Sequence, residues 1–213
     1  HRVLIVPQLG APGLAAHLAR KFPGFAVHYG PVDAADLPAY LDAGQKATAA
    51  MRLKPFPLRD RAVLIPVELV AALKPGLIAM AILFGLGGIG GPDGFWATAW
   101  REGGFAALAF LAAVLAGTVA HPLLLPWLPG RAFTTQGLWL GVVVAVVALL
   151  VRGGAGTPWE IRLETVAWLL ILPAVTAYLA MNFTGCSTFT SPSGVRREMR
   201  WALPLEIGMG SAG

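Results

Sequence analysis

The sequence predicts a small α/β unit with parallel strands, followed by an all-α polytopic transmembrane domain. Three observations carry this prediction. Hydrophobic residues make up 56% of the 213-residue chain and charged residues only 13%, against roughly 25% charged in an ordinary soluble domain. The charges are uneven, with nine Lys/Arg and five Asp/Glu in residues 1–74 but seven and six in residues 75–213. Four stretches, 75–92, 103–130, 132–151 and 165–195, contain no Lys, Arg, Asp or Glu at all. This composition excludes a disordered chain, a collagen-like chain and a small disulfide scaffold. Cys186 is the single cysteine, so the chain has neither an intramolecular disulfide nor a Cys-cluster metal site. A net charge of +5 on a membrane chain marks cytoplasmic loops rather than a nucleic-acid partner.

The α/β part begins with Val3-Leu4-Ile5-Val6, a continuous apolar run of the kind buried on both faces of a parallel sheet. Pro7 to Gly13 is turn-rich. Leu14 to Phe22 has helical spacing and ends in Lys-Phe-Pro-Gly, a stop signal. Phe25 to Tyr29 reads as a second strand and Gly30-Pro31-Val32 as its loop. Asp33 is the expected N-cap of a helix over about 34–43, closed by Gly44. Strand, loop, helix repeated twice implies parallel strands with right-handed crossovers. Ligands of such sheets bind beyond the carboxyl ends of the strands, here Pro7–Pro12 and Tyr29–Val32. No GxGxxG and no P-loop is present, so a dinucleotide or ATP has no specific support. The pattern alone allows ligand loops for an unspecified ligand, or plain βα turns. About 70 residues with an open sheet edge make a marginal domain. With His1-Arg2 leading directly into a strand, this part reads as the C-terminal portion of a larger domain. The expected boundaries are an α/β portion at 1–60, a linker at 61–70 and a transmembrane domain at 71–213.

A membrane helix needs about 20 mostly apolar residues, and spans are expected at about 71–90, 104–126, 136–152 and 163–183, with a fifth beginning at about 203–213. The alternative, buried helices of a large soluble core, lacks the amphipathic helices that would cover them. The run at 104–126 is internal and has no cleavage pattern, so it is not a signal peptide. Arg52, Lys54, Arg59, Arg61 and Lys74 precede the first span, and Arg196, Arg197 and Arg200 follow the fourth. Four spans place both groups on one side, expected to be cytoplasmic. Trp96, Trp100, Trp127, Trp159 and Trp201 lie near expected ends, where indoles prefer the interface. His121, before Pro122, is either a functional intramembrane group or a neutral His bonded to a carbonyl. Gly87, Gly88, Gly90 and Gly91 either allow close packing or mark the exit of the first span.

Several ordered segments carry a resemblance. Val6-Pro7-Gln8-Leu9-Gly10-Ala11-Pro12-Gly13, Tyr29-Gly30-Pro31-Val32, Asp36-Leu37-Pro38-Ala39-Tyr40, Lys46-Ala47-Thr48 with Met51-Arg52, and Asp60-Arg61 followed by Pro66-Val67-Glu68-Leu69 resemble the corrinoid domain of corrinoid iron–sulfur proteins. The membrane half, with Met181-Asn182-Phe183-Thr184-Gly185, Thr188 to Val195 and Glu198-Met199-Arg200, is similar to the membrane-fused branch of that family, the HgcA-type mercury-methylating corrinoid proteins. The resemblance covers nearly the whole chain. It implies a partial Rossmann-like corrinoid-binding domain, a cobalt corrinoid (cobalamin-like) cofactor, and methyl transfer from cobalt to Hg(II), giving methylmercury. It implies a partner ferredoxin with two [4Fe–4S] clusters, a separate methyl-donor methyltransferase, and a multi-pass position in the inner (cytoplasmic) membrane with the corrinoid domain cytoplasmic. Gln8, Leu9, Gly10, Ala11 and Pro12 match the first ligand loop and Tyr29, Gly30, Pro31 and Val32 the second, as corrinoid contacts. The family's cap helix, whose cysteine ligates cobalt, has no match here and is expected upstream of residue 1. This fragment alone is therefore expected to be inactive.

Two other readings compete. A methyl-carrying corrinoid protein of the acetyl-CoA pathway type shares the first 70 residues' pattern but is soluble. A non-enzymatic membrane protein with a ligand-sensing domain would bind no cobalt. Residues 184–200 read as an inner loop with basic anchors beside lipid headgroups, or as a docking surface for the corrinoid domain or the ferredoxin. Cys186, in Thr184-Gly185-Cys186-Ser187, offers a soft ligand for Hg(II), but a small cysteine without a duty is the favoured reading. Cys186→Ser in the complete protein is accordingly expected to leave the rate of methylmercury formation at limiting Hg(II) unchanged. A fall in that rate would assign substrate delivery to the thiolate.

Overall fold

A computed structural model of the chain describes residues 3–10, 26–53, 55–153, 157–183 and 192–213. It divides into two compact units, His1–Phe56 and Pro57–Gly213.

In the first unit, β1 (Val3–Val6) and β2 (Ala26–Tyr29) pair in parallel, in register from Val3 opposite Ala26 to Val6 opposite Tyr29. These are the two strands and the direction that the apolar runs predict. The sheet has two strands among the described residues, and the expected helix over 14–22 lies outside them. A short 3₁₀ turn at Ala34–Asp36 leads into α1 (Leu37–Asp42). Asp33 holds the N-cap position with an extended backbone but makes no capping bond with its side chain. The opening turn is 3₁₀, so the bond pattern that a capping carboxylate would complete is absent. Gly44 closes α1 at φ +64, a conformation open to glycine at little cost, and its N–H donates to the Leu41 carbonyl at 3.1 Å.

In the second unit, α2 (Leu58–Gly87), α3 (Phe95–Leu124), α4 (Phe133–Arg152) and α5 (Pro158–Asn182) are each long and apolar enough to cross a membrane. A further helix, α6 (Pro192–Ala212), packs on α5. The helix that carries the first expected span thus begins at Leu58, and residues 61–70 are helical. The physical reason is Arg61. It is buried, and its guanidinium donates to the carbonyls of Pro122 and Leu123 at 3.0 and 2.9 Å, oxygens that the end of α3 leaves without helical partners. A charge whose Nη1 is engaged in this way does not end a helix. Nor do Pro66 and Pro75, because packed membrane helices tolerate proline. The second span likewise begins at Phe95, earlier than expected, and passes through π-helical turns at Ala99–Gly103 and Ala116–Ala120. At the start of α5, Thr157 and Glu160 form a reciprocal capping box, with the Thr157 N–H donating to the Glu160 carboxylate at 2.8 Å.

The surface of this unit is apolar. Between 11% and 33% of each spanning window is buried, and Val70, Leu73, Ile82, Val147 and Leu150 all face outward. Trp96, Trp100, Trp127 and Trp159 are exposed near helix ends. In water such a surface would drive aggregation; in hydrocarbon it is the ordinary exterior. The interior is built from small residues, with Ala109, Ala113, Ala145 and Leu172 forming its buried cluster. Gly137 and Gly141 of α4 lie against the backbone of α5 at Ala177 and Pro173. Gly87 abuts the backbone of Gly103, and Gly91 abuts Thr98. The glycines after the first span are therefore packing surfaces as well as an exit. Gly141→Leu is expected to force α4 from α5 at a cost of about 1–3 kcal/mol, measured by thermal unfolding in detergent. Gly85→Ala, where an added methyl group meets nothing within 4 Å, is expected to unfold at or above the wild-type temperature.

Candidate functional site

Because β1 and β2 are parallel, their carboxyl ends open on the same edge. The two predicted ligand loops meet there. The Gly30 N–H donates to the Val6 carbonyl at 2.8 Å, and the Gly10 N–H closes the first loop onto the Pro7 carbonyl at 2.9 Å. Gly30 is buried, and a Cβ at this position would fall 2.8 Å from Ile5 Cγ2 and 3.7 Å from the ring of Tyr40. The buried Tyr40 ring of α1 thus supports the second loop from beneath. Pro31 is buried and Val32 half-buried, whereas Gln8, Leu9 and Tyr29 are exposed. The edge therefore presents a rigid backbone floor flanked by accessible side chains. Ala11 and Pro12 lie outside the described residues.

A cavity of about 370 Å³ adjoins the second loop, lined by Asp33, Asp36, Thr48, Met51, Leu53 and Pro55 among others. It forms because the Val32 N–H donates to the Met51 carbonyl at 2.9 Å, while Thr48 Oγ1 accepts from the Met51 N–H at 3.4 Å. Residues far apart in sequence are folded against the loop by one backbone bond, so spacing alone does not reveal the cavity. Thr48, three residues before Met51, is the local signal for this turn.

The edge is open, with the backbone of Gly30 close to its surface. Among the described residues no group of three or more His, Cys, Asp or Glu is placed to hold a metal ion, and Cys186 lies outside them.

The membrane unit has its own polar cluster. His121 is fully buried, and its Nε2 lies 3.2 Å from Gln136 Oε1. The Gln136 amide donates in turn to the Gly130 carbonyl at 2.9 Å. The rings of Phe133 and Phe183 close on the imidazole edge-on. His121 thus meets a carbonyl oxygen, that of a side-chain amide rather than of the backbone. Beside it, Glu198 of α6 accepts from both the N–H and the hydroxyl of Thr134, at 2.7 and 2.8 Å. Glu198 therefore caps the start of α4, a role that its place in a basic loop sequence did not suggest.

Comparison with protein-family models, with curated proteins and with solved structures finds no match to this chain. The chemistry of the site therefore rests on the residues above.

Gly30→Val is expected to separate β2 from β1 at the loop end. The readout is amide exchange at Gly30, whose protection through the Val6 carbonyl should fall at least about tenfold, as for a lost hydrogen bond of roughly 1.4 kcal/mol. His121→Leu keeps most of the side-chain volume but leaves Gln136 Oε1 unpaired, and is expected to cost about 1–3 kcal/mol in detergent unfolding.

Proposed function

We propose that this chain is part of a membrane-anchored corrinoid methyltransferase that carries a methyl group from a cobalt corrinoid to Hg(II), forming methylmercury. The observation that carries the proposal is the convergence of the two loops. Residues 8–10 and 29–32, which match the corrinoid loops of the resembled family, follow neighbouring parallel strands, and the Gly30–Val6 bond ties the second loop to the strand end from which the first begins. In this reading the corrinoid supplies the transferable methyl group on cobalt. The chain's own contribution is positional. Gly10, Gly30 and Pro31 give a close-approach floor, while Gln8, Leu9 and Tyr29 grip the rim. Ala11 and Pro12 belong to the same proposal by the resemblance alone. The cobalt-ligating cysteine is placed upstream of residue 1, with a two-cluster ferredoxin as reductant and a separate methyltransferase as methyl donor.

Four helices long and apolar enough to cross a bilayer are compatible with a multi-pass membrane protein. The finer assignment, to the inner membrane with the α/β unit cytoplasmic, is supported by the basic residues near the starts of α2 and α6. Arg59 and Arg61 open α2, and Arg196, Arg197 and Arg200 lie in the first half of α6.

The test is expression of the complete protein with its ferredoxin partner, purification from B12-replete cells, and a methylmercury assay with and without corrinoid. The visible absorbance of a bound corrinoid and corrinoid-dependent methylmercury are both expected. Gly30→Val should lower corrinoid occupancy at least about tenfold while leaving the protein in the membrane fraction. A colourless wild-type protein without corrinoid-dependent methylation would overturn the assignment.

A further inference from the structure

A cavity of about 580 Å³ lies between α2, α3, α5 and α6, within the range of about 300–1,000 Å³ typical of small-molecule sites. Ala72 and Gly76 of α2, Phe110 of α3, Tyr178 of α5 and Gly210 of α6 form much of its wall. Set into this apolar wall is Glu206, only 5% exposed. Neither of its carboxyl oxygens has a hydrogen-bond partner among the described residues.

The position of Glu206 makes this notable. The helix α6 carries Arg196, Arg197 and Arg200 in its first half, then runs back along α5 until Gly213 lies against Ala167 and Ile171. Glu206 therefore faces α5 at Ala174 and Tyr178, one to two turns inside its C-terminal end at Asn182. A buried carboxyl group without a partner is costly, and more so at membrane depth. Glu198, two turns before it on α6, is already engaged with Thr134. No described side chain partners Glu206, so an occupant of the cavity would relieve the cost either by accepting from the carboxylic acid or by donating to the carboxylate.

The cavity selects what can supply one. Tyr178 and Ile207, on its rim, are exposed, so it opens toward the lipid. An acyl chain would fill it but leave the carboxyl group unpaired. A lipid headgroup amine would have to leave the interface and enter an apolar wall one to two helix turns inside the end of α5. The rings of Phe110 and Tyr178 favour a flat aromatic occupant, packed offset or edge-on. We propose that this cavity binds a lipid-soluble ring bearing hydroxyl or carbonyl groups, the quinone and quinol class, with Glu206 hydrogen-bonded to a ring oxygen and the alkyl tail leaving past Ile207 into the bilayer. The site is independent of the corrinoid reading, and stands or falls without it.

The test is titration calorimetry of the full chain in detergent with decylubiquinol, decylubiquinone and, as a ring and tail without oxygens, dodecylbenzene. Saturable binding of one decylubiquinol or decylubiquinone per chain is expected, with dodecylbenzene at least about tenfold weaker, because a built polar site discriminates against the analogue lacking its partner. Glu206→Leu should weaken decylubiquinol by about tenfold or more. Gly76→Phe, where the first added carbon meets nothing within 4 Å, should fill the cavity and abolish binding with an unchanged melting temperature. Absence of saturable binding, equal affinity for dodecylbenzene, or undiminished binding by Gly76→Phe would each overturn the proposal. The comparison of ligands on the wild-type chain decides the matter even if Glu206→Leu does not fold.

Discussion

Close backbone approach at glycine is the constraint on which the membrane unit depends. Lipid tails are as apolar as leucine, so helices in a bilayer gain little from hiding leucine from their surroundings. What remains is van der Waals contact and a few hydrogen bonds, both of which need short distances. Gly137 and Gly141 let α4 lie on the backbone of α5, Gly103 lets α3 lie on Phe84 of α2, and Gly117 lets α3 lie on Thr176 and Leu179. That approach allows the Thr176 hydroxyl to reach the Ala113 carbonyl on the neighbouring helix at 3.3 Å. The large aliphatic residues are left to face outward.

Polar chemistry then gathers at the two ends of the helices. At one end, Arg61 holds the carbonyls that close α3, His121 meets Gln136, and Glu198 caps α4. At the other, Arg101 pairs with Asp93 and Glu102, each at 2.8 Å, and Arg152 pairs with Glu102 and Glu164. Each set joins the start of one helix to the end of another, so together they enforce the alternating up-and-down order. The exposed Asp93–Arg101 pair contributes little stability alone. Arg152, half-buried and stacked over Phe105, is better placed to contribute. Glu206 stands apart from both sets, since it alone among the described carboxylates lies in an apolar cavity with no partner.

The small α/β unit follows different physics. Two strands give too little sheet for a self-sufficient core, and its order comes from specific bonds between loops. The Gly30–Val6 and Val32–Met51 contacts tie three separated segments together around the Tyr40 ring.

Much of this was legible from residue order. The parallel strands at Val3–Val6 and Ala26–Tyr29, the loops after them and the four apolar helices are local patterns, set by side-chain period and by the length needed to cross hydrocarbon. The helix starts were not legible. Arg61 and Glu68 read as the edge of a water-exposed segment, because charge in a sequence carries no sign of its partner. The carbonyls of Pro122 and Leu123, 61 and 62 positions away, are what let Arg61 lie inside a helix. The same holds for His121 with Gln136, for Glu198 with Thr134, and for the apolar walls around Glu206. Periodicity is a property of neighbours along the chain, while the pairing or isolation of a polar group belongs to neighbours in space, and those exist only once the helices have packed.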